Sequence, residues 1–115
     1  MEENGDDHVC DAAVTLAFSV LGKRWNGMII SALGSDGSTF GRLRRGVPGI
    51  SDAVLADRLA ELVDASLVSR EVMPGPPVAV AYRLTESGVE LLPILGQLGG
   101  WAARNLLKRP EGASA

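Results

Sequence analysis

FGRLRRGVPGISDAVLADRLAELVDASLVSREVMPGPPVAVAYRLTESG, residues Phe40 to Gly88, is the stretch that decides how this chain folds. It reads as two short amphipathic helices joined by a tight turn, two strands joined by a proline-rich hairpin, and a new helix start. The turn is Gly46 to Ile50: Pro48 fixes φ and Gly49 permits a positive one, so the chain reverses there. Ser51 then offers a side-chain oxygen to the unpaired N–H groups of the following helix. Along that helix Leu55, Leu59 and Leu62 fall at i, i+4 and i+7, a single apolar stripe for a core. Helix, tight turn, helix with a free outer face is the arrangement that lays a helix in the major groove of DNA. A hairpin directly behind it predicts a winged helix-turn-helix, mainly α with a small β-hairpin wing.

Working outward, the spacing predicts a first helix from Asp11 to about Val20, ended by Gly22. A second runs from Arg24 to Leu33 with Trp25, Met28, Ile29, Ala32 and Leu33 inward, and a third from Thr39 to Gly46 with Phe40, Leu43 and Val47 inward. The helix with the leucine stripe spans Asp52 to about Ala65. Strands follow at Leu67–Met73 and Val78–Leu84, separated by Pro74, Gly75, Pro76 and Pro77. Thr85 caps a last, long helix from Glu86 to Lys108, with Pro93 expected to bend it and Gly99-Gly100 a candidate break. Its apolar residues, and those of the first helix (Val14, Leu16, Phe18), cover more than one face. A small domain cannot bury so wide a surface alone, which predicts a homodimer through the terminal helices with Leu91, Leu95, Leu98 and Trp101 in the interface.

The domain limits follow: an acidic flexible arm over 1–9, the winged helix and dimerisation unit over 10–109, and a flexible tail over 110–115. The 115 residues allow one domain, and two Phe, two Trp and one Tyr leave the core to aliphatic side chains. No apolar run approaches the roughly 18 residues of a membrane span. The acidic start lacks the order of a signal peptide, so a cytoplasmic protein is expected. The net charge is −3, but five acids stand in the first eleven residues; the remainder has 11 basic against 9 acidic residues, a net +2. A weakly basic body is compatible with DNA, since local fields decide contact. A single Cys and a single His, two positions apart, give no internal disulfide, no metal-ligand set and no activated nucleophile. No cofactor and no enzymatic activity are expected.

Taken in order, Cys10, Gly22-Lys23-x-Trp25, Phe40-x-x-Leu43, Pro48-Gly49-Ile50-Ser51, Leu55-x-x-Arg58-Leu59-x-x-Leu62, Leu67-Val68-x-Arg70, Pro74-x-x-Pro77, Val80-x-Tyr82-x-Leu84-Thr85 and Gly88 resemble the HxlR-type winged-helix transcriptional regulators. The match covers about Cys10 to Trp101. The resemblance implies homodimers on inverted-repeat operators in double-stranded DNA and, in many members, a cysteine near the N-terminus that senses electrophiles or oxidants. Departures fall at Thr39 (commonly Arg), Arg42 (commonly acidic or polar), Ala53, the uncharged wing residues Val78, Ala79 and Ala81, Ser66 (commonly Gly) and Asp11 (commonly Pro).

With the leucines inward, Ser51, Asp52, Ala53, Ala56 and Asp57 are the candidate groove residues. Small alanines admit close approach and meet a thymine methyl, and an aspartate accepts from cytosine N4. Arg42, Arg45 and Arg58 are the candidate phosphate contacts, with Lys23, Arg70 and Arg83 in support. Arg44 sits between the inward and outward faces of its helix, where a long side chain can snorkel. The wing from Pro74 to Ala81 has no cation for the minor groove. Cys10 reads either as a small packing side chain or as a thiolate favoured by the adjoining helix N-terminus, with Asp6, Asp7 and Asp11 opposing it. Two other readings stand beside the DNA-binding regulator: a winged-helix protein-interaction module with little DNA affinity, and a regulator induced by a small ligand held at the dimer interface.

Overall fold

The computed structural model describes Val9 and residues 11–107. The rest of the acidic arm, Cys10, and the residues from Lys108 onward, including the tail over 110–115, lie outside the described residues. The order of elements is α1 (Ala12–Leu21), α2 (Asn26–Leu33), β1 (Ser38–Thr39), α3 (Phe40–Gly46), α4 (Asp52–Asp64), β2 (Val68–Met73), β3 (Ala79–Leu84), α5 (Glu86–Val89) and α6 (Leu91–Asn105). This is a winged helix-turn-helix, mainly helical with a small antiparallel sheet. Among the described residues no helix is long and apolar enough to cross a membrane.

The core is aliphatic and centred on α2 and α4. Ile29, Ile30 and Leu33 of α2 and Leu55, Leu59 and Leu62 of α4 share one buried cluster with Leu43, Val47, Ile50, Val68, Tyr82 and Leu84. The leucine stripe of α4 is buried as its spacing requires, each side chain at most 1% exposed. On α2 the inward stripe differs from the sequence expectation: Ile30 is buried, while Met28 is 53% exposed. The helix begins two residues later than its apolar pattern suggests. Trp25 stands immediately before it at φ +84°, a left-handed conformation that cannot belong to an α-helix.

Two further expectations are corrected. The sheet has three strands in the order β1-β3-β2, not a bare hairpin: Ser38 and Thr39 pair with Tyr82 and Ala81. A two-residue strand has no periodicity to detect. The last helix is also not continuous from Glu86 to Lys108; α5 ends at Val89, and α6 runs from Leu91 to Asn105. Pro93 therefore falls in the first turn of α6, where its missing N–H costs no intrahelical bond. Gly99 and Gly100 lie inside α6 without breaking it. Gly88 has a packing reason: a Cβ there would collide with the carbonyl oxygen of Leu67, at the junction where α5 rests on the start of β2.

Candidate nucleic-acid interface

α4 is fixed at both ends. At its start the Ser51 hydroxyl accepts from the Val54 N–H at 3.2 Å. At its end Ser66 N–H donates to Val63 O and Leu67 N–H to Leu62 O, the paired bonds of a Schellman motif, with Ser66 left-handed at φ +63°. Before it, Gly49 turns the chain at φ +90° with the Trp25 indole close against it. Arg24 in turn lies over that ring, 4.4 Å from its centroid. Trp25, directly before α2, thus packs against the turn that leads into α4.

With the leucines inward, Ser51, Asp52, Ala53, Ala56 and Asp57 are all exposed. The five residues expected at the groove thus share the cap and N-terminal half of α4. Arg42 and Arg45 are exposed on α3, though a terminal nitrogen of Arg45 lies back over Gly41. Arg58 is placed differently from these two. Its side chain is only 22% exposed and its Nη2 pairs with Glu61 Oε2 at 3.2 Å, the oxygen that also takes Lys23 Nζ at 3.2 Å. Arg58 Nε is buried without a hydrogen-bond partner.

Arg44, expected between the two faces of its helix, has its Nε 3.1 Å from Asp52 Oδ1 at the start of α4. No periodicity signals this, because the two residues belong to different helices on either side of the turn. The sheet register divides the remaining cations. Arg83 opposes Ser69 and, with Glu71, Arg42 and Asp36, lines a pocket of about 260 Å³ against α3. Arg70 opposes Tyr82 on the α4 side, beside Ala56, Ala60 and Asp64. The wing from Val72 to Tyr82 carries no charge, and Val72, Met73 and Val78 are 51%, 46% and 66% exposed.

Away from this face, α1 buries no side chain: Val14, Leu16 and Phe18 are 46%, 70% and 58% exposed. On α6, Leu91 and Leu95 pack against the domain's own core, whereas Ile94, Leu98 and Trp101 are about half exposed at 54%, 50% and 47%. An apolar groove of about 730 Å³ runs between α2 and α6, lined by Met28, Pro48, Leu95, Leu98 and Ala102 among others. Among the described residues no group of three or more His, Cys, Asp or Glu is placed to hold a metal ion.

A capped, outward-facing second helix of a helix-turn-helix, flanked by a three-stranded wing, defines the winged-helix class of DNA-binding transcriptional regulators. The chain belongs to the HxlR-like helix-turn-helix family, whose pattern matches residues 20–110. It is 44% identical over 86 residues to the HTH-type transcriptional regulator YodB of Bacillus subtilis, covering 75% of this chain and 77% of YodB. The reduced form of YodB superposes with a TM-score of 0.74 at 39% identity, over 85% of this chain and 96% of that one. YodB has also been solved diamide-treated and quinone-bound. The reduced form of the redox regulator HypR gives a TM-score of 0.76 at 33% identity, over 82% of this chain and 93% of that one.

Proposed function

We propose that this chain is a cytoplasmic homodimer that binds an inverted-repeat operator through two α4 helices and is released or tightened by thiol chemistry at Cys10. The observation that carries the reading is the outer face of α4, where Ala53, Ala56 and Asp57 stand exposed on a helix anchored by its leucines. Small side chains there let the backbone approach base edges. Arg42 and Arg45, with Arg70 beside α4, supply phosphate contacts; the Glu61 pair leaves Arg58 a lesser part in them. Ser51 contributes at the helix start, where N–H groups favour a phosphate.

Dimerisation follows from the apolar surface left on α1 and α6. Leu98 and Trp101, joined by Ile94 and Phe18, form the contact, and Leu91 and Leu95 support it from within the domain. Two-fold symmetry then sets the α4 helices about one helical turn apart on the duplex, roughly 34–36 Å. Cys10 directly precedes Asp11, whose carboxylate caps α1 by accepting from Ala13 N–H at 2.7 Å. A mixed disulfide or quinone adduct there adds bulk at the helix that meets the partner. The diamide-treated and quinone-bound forms of YodB and the oxidised form of HypR support electrophiles and oxidants as the inducer class.

The test is a gel shift with the full-length protein on the DNA upstream of its own gene, with and without diamide. Retarded DNA that is lost or changed with oxidant, in wild type but not in Cys10→Ser, is the expected result. Equal oxidant response in both proteins removes the sensor role of Cys10. The groove between α2 and α6 favours a second reading, a regulator whose inducer is a small apolar ligand held there. In that case the oxidant is inert and binding responds to the ligand in Cys10→Ser as in wild type.

A further inference from the structure

Arg44 Nε and Asp52 Oδ1 are 3.1 Å apart, with side chains 54% and 67% exposed. A pair so exposed contributes little to stability, because water screens it and two side chains lose freedom to form it. The turn it spans already has Pro48, Gly49 and the Ser51 cap. What the pair does fix is the direction of one guanidinium. Asp52 is the first residue of α4, adjoining Ala53 and one turn from Ala56, so the guanidinium is held beside the end of the helix that enters the groove. Only its Nε is engaged, and no other polar partner of Arg44 stands among the described residues. The two terminal nitrogens keep the fork that guanine O6 and N7 accept.

We propose that Arg44 reads a guanine in each half-site and that Asp52 is the positioning residue that aims it. Charge decides between a base and a phosphate as the target. Arg44 and Asp52 together are neutral, so the pair gains little from the phosphate field, while the directional hydrogen bonds of the fork are undiminished. Ala53 and Ala56 leave the space for it. The inference rests on the operator-binding reading above, and it turns a carboxylate that would repel DNA into part of the recognition surface.

The test is selection of bound sequences from a randomised duplex pool by the full-length protein, followed by binding titrations over a range of salt. Wild type should select a G·C pair at one symmetric position and discriminate against its replacement by roughly 5- to 150-fold. Arg44→Lys, which keeps the charge without the fork, should lose that discrimination with the salt slope unchanged, and Arg44→Ala should lose it while also weakening all sequences, since Asp52 is then uncompensated. Asp52→Ala should lose discrimination while binding all sequences more tightly, since a negative charge is gone. Asp52→Asn, which keeps the accepting oxygen, should retain most of it. Base preference left intact in Arg44→Ala and Arg44→Lys, with all sequences weakened alike and the salt slope reduced in Arg44→Ala, would make Arg44 a phosphate contact and overturn the proposal. A lowered melting temperature in Asp52→Ala with base preference intact would make the pair a structural clip and likewise overturn it. Failure of the wild type to select any sequence is a separate outcome that overturns the operator-binding reading itself, and this inference with it.

Discussion

Glu61 on α4 and Lys23 in the turn between α1 and α2 are joined by an ion pair of 3.2 Å across 38 positions of sequence. Close to it, the Asn26 side chain donates to Val20 O at 2.8 Å. These two links tie the end of α1, the helix next to Cys10, to the recognition helix. Glu61 also compensates Arg58, whose side chain is 22% exposed. Glu61→Gln should therefore cost about 1–2 kcal/mol, between the value of a surface pair and that of a buried one. Lys23→Met should cost about 0.5 kcal/mol or less, because the pair it breaks is exposed on the lysine side. Urea unfolding of the two variants checks the order, and equal costs would mean that Arg58 does not depend on Glu61.

Leu98→Glu and Phe18→Glu should give monomers. Each side chain is at least half exposed in the single chain, at 50% and 58%, so the substitution leaves the domain's own core intact. In a dimer contact the same change buries a charge without a partner. Sedimentation should show half the mass with an unaltered helical circular dichroism spectrum. An unchanged mass would place the interface elsewhere.

Ser66→Gly should stabilise the fold by about 1 kcal/mol. Ser66 occupies a left-handed position, φ +63°, at the close of α4, and a side chain in that region is strained by about 1–2 kcal/mol, part of which the greater freedom of unfolded glycine offsets. Its backbone carbonyl, which accepts from Thr85 at 2.7 Å, is unaffected by the change. Thermal unfolding should move up by several degrees.

Gly88→Ala should act in the opposite direction and more strongly. The new Cβ would meet the Leu67 carbonyl, backbone at the entry to β2, and crowd Leu84 of β3 at 3.1–3.2 Å, and neither neighbour can yield cheaply. A loss of about 2–3 kcal/mol is expected, measured by urea unfolding. A loss below about 0.5 kcal/mol would mean that α5 shifts freely on β2.

The local elements were legible because short-range chemistry dictates them. The leucine repeat of α4, the Pro48-Gly49 turn, the Ser51 cap and the proline-broken strands each need only a few adjoining residues to be specified. The outward set Ser51, Asp52, Ala53, Ala56 and Asp57 followed from the same helical period. The family was legible too, since it rests on the order and spacing of those motifs. Other features required the tertiary structure, because their partners are distant in sequence or because neighbouring packing chooses between equivalent apolar faces. The third strand exists only through its pairing with β3, and Ile30 rather than Met28 is buried because α2 starts beyond a left-handed Trp25. Gly88 of α5 lies against the Leu67 carbonyl, an approach between residues 21 positions apart. Charge was the least legible of all. Composition counts arginines and aspartates, but only the fold decides that Arg58 is occupied by Glu61 and that Arg44 is the arginine held at the start of the recognition helix.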